Sequence, residues 1–525
     1  MPCLLERVLI TDVIDPCCAK ILQNNGIEVD TKVGLSPDQL KEEVVYYDGI
    51  ILRSATYISA EIIQKAAEVK LIAFAGTGTD SVDNDAASDH GIIVMNAPGA
   101  NTISTAEHTC AMILTVVRNL PQAYVSMKEG KWETEKLTGI SLDGRTLAVI
   151  GLGAIGREVV KRMKSFRVKL IGYDPMVTAK QAKEIGVEWL PLHEIWPRAD
   201  IVTLHLPAIP QTFGMINDAM FAKCRRGMYL INAARGAIVK EDSLLKALNN
   251  GTCAAAALDV FQEEPTRNEE LICHPRVVVT PHLGANTIEA QIRVAANVAQ
   301  QFVDASSCIK LAGTINARSM QGNIHAWYEL GRRLGYVVAM FIGHLSCDTK
   351  VQVITCGSGT KGGARYMKYA TEIGLLEAYR KLKSKDSEID IHTGGVEVTI
   401  GHEDMCSSLP LGFNHGCKVA IHYSNTTMTF CGSVRGNDIM LCSIDSCLFE
   451  CGALLAGNMV FYRSSEANAF LPVTELSSES SCQIEAFAST TPVYNQKWTI
   501  LYLNQPQKHL EPIRKHVAFL MQISM

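Results

Sequence analysis

Over the first hundred residues, short apolar runs alternate with stretches of helical spacing. Residues 8–11, 49–52, 71–74 and 92–95 are nearly unbroken apolar runs, the pattern of parallel strands covered on both faces. Between them, 16–25, 36–47 and 59–67 repeat apolar positions at helical intervals, and serine caps open two of these segments. The pattern predicts a small doubly wound α/β domain. A long helix over 105–118 follows, then a second α/β series with strands at 146–150, 169–173, 201–206, 229–232, 255–260 and 277–280. The amphipathic stretch "ANTIEAQIRVAANVAQQFVDA" is expected to return to the first domain. The second domain is then an insertion, the first is its lid, and the substrate lies in the cleft. After Gly313, "WYELGRRLGYVVAMFIGH" reads as a helix and "KVQVITCGS" as a strand, with Gly-rich loops and β-branched alternation up to about residue 455. The last segment, 458–525, reads strand, helix, strand, strand, helix.

The stretch "LAVIGLGAIGREVVKRM", residues 147–163, carries Gly151, Gly153 and Gly156 between a strand and a helix. Gly151 permits the tight turn, Gly153 lets backbone approach a pyrophosphate, and Gly156 lets helix and strand pack closely. The helix N-terminus offers unpaired N–H groups and partial positive charge to that anion. Asp174, about twenty positions on, can accept from both ribose hydroxyls and would repel a 2′-phosphate, so NAD is expected over NADP. The fold class is therefore α/β: two doubly wound parallel-sheet domains, a lid and an inserted Rossmann-like NAD domain, followed by α+β regulatory or assembly domains.

Three stretches at predicted strand ends, "INAARGAIV", "ALDVFQEEP" and "VTPHLGAN", supply Arg235, Glu264 and His282. Hydride transfer from a 2-hydroxy acid needs such a trio. A guanidinium grips the carboxylate in two places, an imidazole takes the hydroxyl proton, and a carboxylate steadies the resulting cation.

Bulk properties narrow the class. A chain of 525 residues exceeds one core and points to three or four domains. Its net charge of −5 opposes a nucleic-acid or membrane-surface role. No apolar run approaches the roughly 18 residues that span a bilayer. Glu6 and Arg7 stand where a signal peptide needs its apolar centre, so a cytosolic protein is expected. The seventeen cysteines lack a repeated CxxC pair, and Cys442, Cys447 and Cys451 with His402, His415 and His422 match no zinc spacing. Reduced thiols and no metal are expected.

These motifs resemble the D-isomer-specific 2-hydroxyacid dehydrogenases across residues 6–318, through "LRSAT", "AGTGTDSVD", "SMKEGKWE", "GLGAIGREV", "GYDP", "EIWPRAD", "NAARGAIV", "ALDVFQEEP" and "PHLGA". The likeness is closest to the members that oxidise 3-phospho-D-glycerate to 3-phosphooxypyruvate, the first step of L-serine synthesis. It weakens over "VQVIT" and "GLLEA", and the tail resembles an ACT-type regulatory module in outline. The implied domains are 1–98 with 286–312 (lid), 99–285 (NAD), 313–455 (α+β) and 456–525 (ACT-like). The resemblance implies Arg235, Glu264 and His282 as catalytic residues. It places cofactor contacts at Thr77, Gly151, Gly153, Ala154, Ile155, Gly156, Asp174, Leu206, Ala233, Ala234, Arg235, Asp259, His282, Leu283, Gly284 and Ala285, with Asp259 on the nicotinamide carboxamide. Substrate contacts are implied at Arg53, Gly76, Asn101, Arg235 and His282, in a homodimer or homotetramer joined through the NAD domain.

Some positions depart from that pattern. Ala154, Leu206 and Ala233 replace other side chains at contacts made by backbone. Phe74 stands where related sequences place an Arg, and the basic run after Trp132 is thinned to "ETEKLTG". Both changes remove positive charge from the expected phosphate site and leave Arg53. A hydroxypyruvate or glyoxylate reductase, or a non-catalytic NAD-sensing protein of the same fold, therefore stays open.

Overall fold

The computed structural model describes residues 5–78, 80–342, 349–357, 359–383, 396–404, 407–410, 413–423, 426–445, 447–465, 484–490, 496–503 and 519–525. Its chain falls into two compact units, residues 98–294 and residues 1–97 with 295–525.

The discontinuous unit opens with five parallel strands: β1 (Arg7–Ile10), β2 (Glu28–Thr31), β3 (Gly49–Leu52), β4 (Leu71–Phe74) and β5 (Ile93–Asn96), in the order β2-β1-β3-β4-β5. Leu9, Ile50, Leu52, Ile72 and Val94 point to one buried cluster, the alternation that a sheet with helices on its faces requires. Edge strand β2, "EVDT", is one that the apolar pattern does not predict. It has no apolar run and exists through its pairing with β1.

The inserted unit holds seven parallel strands: β6 (Thr146–Ile150), β7 (Lys169–Tyr173), β8 (Glu188–Trp189), β9 (Ile201–Leu204), β10 (Met228–Asn232), β11 (Cys253–Leu258) and β12 (Val277–Val279). Their order is β12-β11-β10-β9-β6-β7-β8, so the direction of winding reverses between β6 and β9. In open sheets of this kind ligands bind beyond the carboxyl ends of the strands at that reversal. Ala148 and Ile150 feed one buried cluster while Leu147 and Val149 feed the other, which locks the strand between two helical layers.

In the discontinuous unit, β13 (Lys350–Cys356), β14 (Glu397–Glu403), β15 (Gly416–Tyr423), β16 (Thr426–Arg435), β17 (Asp438–Ile444) and β18 (Cys447–Leu454) form a six-stranded sheet. Only the β13–β14 pair is parallel. Helix Ile324–Ile342 packs on helix Ala364–Lys383, a stretch whose glycines predict loop. Those glycines have a packing reason. A Cβ at Gly374 would stand 1.9 Å from the Arg332 carbonyl and one at Gly335 2.2 Å from that of Thr371. The two helices touch backbone to backbone. A last antiparallel sheet joins β19 (Asn458–Ser465), β20 (Ile484–Ser489), β21 (Gln496–Leu503) and β22 (Phe519–Ser524). Of the two helices expected in this segment, the first falls on 466–483, outside the described residues. The second is expected to close the chain, but beyond 504–518, also outside the described residues, the last element is a strand, β22, held by its register with β19. Among the described residues no helix is long and apolar enough to cross a membrane.

Candidate active site

β6 runs into Gly151, whose φ of 98° belongs to glycine. A Cβ there would stand 2.2 Å from the His205 carbonyl at the end of β9, and one at Gly156 would stand 2.0 Å from the Gly151 carbonyl. Gly153 differs, because no atom lies within 4 Å of where its Cβ would be. Open space over backbone amides at the start of helix Ala154–Met163 is what a diphosphate needs, so this turn fits a dinucleotide. Asp174, just past β7, accepts from the Leu152 amide at 2.8 Å through Oδ2 and from the Met176 amide at 2.8 Å through Oδ1. It braces the glycine turn, and each carboxylate oxygen keeps further acceptor capacity. Behind the turn, burial pushes the His205 imidazole down to about 4, so it is neutral, and its Nε2 lies 3.1 Å from the Thr203 hydroxyl.

The other strand ends carry the charged groups. Past β10, buried Asn232 donates to the Arg235 carbonyl at 2.9 Å and accepts from the Ala234 amide at 3.1 Å, shaping the Ala233–Arg235 turn. Arg235 is extended, and its Nη1 donates to the Ala234 carbonyl at 2.7 Å. Gly236 follows, and a Cβ there would fall 1.8 Å from the Phe261 carbonyl. The arginine turn therefore rests main chain to main chain on the loop after β11. That loop fixes Glu264 by a 3.1 Å bond from the Phe261 amide to Oε1. Glu264 Oε2 lies 2.7 Å from His282 Nδ1. His282, past β12, has a left-handed backbone with φ of 54°, held by its amide on the Asp259 carbonyl at 2.9 Å. A non-glycine residue in that region marks a place where the surroundings over-determine the chain.

The pair is electrically matched. The hydrogen bond that His282 donates to Glu264 raises the His282 imidazole above its ordinary value. Burial and the Arg235 cation oppose this, while the charges of Glu264 and Asp259 add to it. Burial works to raise the Glu264 carboxyl, but the His282 bond and charge together with the Phe261 amide hold it below the ordinary range.

The structure thus brings Arg235, Glu264 and His282 together at the end of the sheet that carries the glycine turn. Ala154 and Ile155 open the helix, Leu206 lies past β9, and Leu283–Ala285 continue the His282 turn. Asn101 precedes helix Thr102–Val117, and its carbonyl accepts from the Thr105 amide at 3.0 Å. Arg53, Gly76 and Thr77 belong to the other unit. There the Arg53 amide donates to Asp12 at 2.5 Å, and its Nη1 reaches the Val13 carbonyl at 3.4 Å. The Thr77 carbonyl accepts from Asn96 at 2.5 Å. The Phe74 ring lies over Gly76 and against the apolar cluster of its sheet.

Asp259 is the residue whose surroundings the sequence hid. It is fully buried and holds the Leu283 and Gly284 amides at 2.7 and 2.8 Å. His108, from helix Thr102–Val117, reaches it at 3.2 Å. A histidine one turn and a half into an apolar helix is the only available signal, and it is also how a core histidine looks.

Residues 110–284 match the family described as D-isomer specific 2-hydroxyacid dehydrogenase, NAD binding domain. The chain is 38% identical over 525 residues to D-3-phosphoglycerate dehydrogenase of Homo sapiens, covering 98% of each. It belongs to the D-3-phosphoglycerate dehydrogenase family. The likeness to this family reaches Archaeoglobus fulgidus, whose enzyme of that name is 35% identical over 84% of each chain. Among solved structures, the TT0316 protein of Thermus thermophilus is 31% identical with a TM-score of 0.55, covering 59% of this chain and 99% of that one. The NAD-dependent formate dehydrogenase of Staphylococcus aureus, solved with NAD, is 27% identical with a TM-score of 0.55, covering 59% and 98%. Family membership makes this chain an NAD-dependent oxidoreductase.

Proposed function

We propose that this chain oxidises 3-phospho-D-glycerate to 3-phosphooxypyruvate with NAD, the first step of L-serine biosynthesis. The 2.7 Å bond between His282 and Glu264, beside Arg235, carries the reading. The named relatives that match along 98% of the chain support it. NAD supplies the acceptor for the hydride. Nδ1 of His282 faces Glu264, so Nε2 is the atom that takes the hydroxyl proton as the substrate C–H bond breaks and C=O forms. Glu264 stabilises the imidazolium, and Arg235 pairs with the substrate carboxylate. Thr77, Ala154, Ile155, Leu206, Ala233, Ala234 and Leu283–Ala285 contribute cofactor contacts, and Gly76 and Asn101 substrate contacts.

An NADH-absorbance assay against 3-phosphoglycerate, glycerate, lactate and 2-hydroxyglutarate tests the reading. The phosphorylated acid should lead by about 2–3 kcal/mol in kcat/KM, the worth of charged hydrogen bonds to its phosphate. Glycerate turned over equally well would favour the reductase alternative. No turnover with any acid would favour an NAD-sensing protein.

The phosphate falls to Arg53 in this reading, because apolar Phe74 supplies no charge. Arg53→Ala should raise KM for 3-phosphoglycerate far more than it lowers kcat and should leave glycerate oxidation unaffected. An equal effect on both acids removes Arg53 from the phosphate. Asp174→Ala should lower kcat/KM with NAD and narrow its lead over NADP, because a carboxylate that accepts from ribose also repels a 2′-phosphate. Wild-type protein using the two cofactors equally would refute that role.

A homodimer or homotetramer fits the exposed Leu120, Tyr124, Val125, Met127 and Trp132 of the NAD unit, an apolar group of the kind that marks interfaces. Light scattering of the purified protein measures the assembly. A cytosolic location fits seventeen cysteines, which stay reduced there.

A further inference from the structure

The Asp259 side chain is 1% exposed and gathers four partners. Its Oδ1 accepts from the Thr280 hydroxyl at 2.6 Å and the Leu283 amide at 2.7 Å, and it lies 3.2 Å from His108 Nε2. Its Oδ2 accepts from the Gly284 amide at 2.8 Å. A buried carboxylate needs this many donors, and each one also limits how it can turn. Two of the donors are the amides that directly follow His282.

The contacts fix the tautomer of His108. Thr280 has one hydroxyl proton and commits it to Asp259. Its oxygen, 3.2 Å from His108 Nε2, is therefore an acceptor. His108 carries its proton on Nε2 and shares it between Thr280 and Asp259. The same helix, Thr102–Val117, sends a second tether to the segment after the turn, where the Ser104 and Thr287 hydroxyls meet at 2.8 Å. Gly284 leaves little slack, because a Cβ there would stand 3.1 Å from Asp259 Oδ2.

We infer that His108 is a positioning residue of this site: by donating to Asp259 and Thr280 it holds the carboxylate that fixes the left-handed turn carrying His282. The inference rests on the dehydrogenase reading above. His108 touches none of the reacting atoms and acts through the aim of the His282 ring. A misplacement near 1 Å at a proton carrier costs about 100-fold, so partial loosening should be visible in turnover.

Full-length His108→Leu and His108→Gln proteins test this. Leucine keeps the bulk and loses the donor, while the glutamine amide can donate from close to the Nε2 position. His108→Leu should lower kcat about 30-fold with KM for 3-phosphoglycerate within about twofold. It should also speed hydrogen exchange at the Leu283 and Gly284 amides. His108→Gln should recover most of both. The inference is overturned if His108→Leu keeps wild-type turnover, if glutamine falls as far as leucine, or if the two amides exchange no faster. Wild-type protein inert toward every 2-hydroxy acid would instead overturn the dehydrogenase reading. The exchange comparison would then decide by itself whether His108 anchors the turn.

Discussion

Replacing His282 with Asn should lower turnover by about 10³-fold while NADH still binds, the usual worth of a positioned proton carrier. Asparagine tolerates the left-handed backbone at this position, so the turn survives and the loss falls on chemistry. Stopped-flow absorbance gives the rate and NADH fluorescence the binding. Near wild-type turnover would remove His282 from proton transfer. Glu264→Gln is milder and more diagnostic. Glu264 raises the His282 imidazole, so removing its charge lowers the value at which His282 titrates. Oxidation needs neutral His282, and its activity is lost as pH falls through that value. The acid limb for oxidation should therefore move to lower pH. Reduction needs protonated His282, so its basic limb should move the same way. Limbs that stay in place would separate Glu264 from the imidazole.

Arg235→Gln is expected to cost about 3 kcal/mol in kcat/KM for every 2-hydroxy acid, near 150-fold, because a charged, two-point grip on the carboxylate is lost. The loss should be equal for phosphorylated and plain glycerate, which distinguishes it from Arg53→Ala. Steady-state kinetics on both acids reads the difference. A penalty confined to the phosphorylated acid would reassign Arg235 to the phosphate.

The parts legible in the sequence are those where local chemistry dictates the residue. The turn after β6 needs glycines at fixed places, and the strand ends need charged groups in an otherwise apolar sheet. The pattern hides what is decided by partners distant in the chain. β2 and β8 contain too little apolar sequence to announce themselves, and neighbouring strands hold them. Helix Ala364–Lys383 sits behind glycines that speak for loop until helix Ile324–Ile342 supplies the reason for them. Resemblance marks Asp259 as a cofactor contact. That its carboxylate already serves two amides, a hydroxyl and His108 depends on residues up to 151 positions away, a distance no local pattern spans.

The contact between Gly236 and the Phe261 carbonyl has a consequence for how such a scaffold changes its diet. Because the two loops meet through main chain, the spacing between the turn that carries Arg235 and the loop that carries Glu264 is set by the backbone. Every 2-hydroxy acid presents its carboxylate and its hydroxyl on adjoining carbons, so one fixed gauge suits them all. What differs from acid to acid is the rest of the molecule. In the proposed reaction, the common end of the substrate would meet a backbone-set spacing, and the variable end would be left to side chains that can be exchanged one at a time.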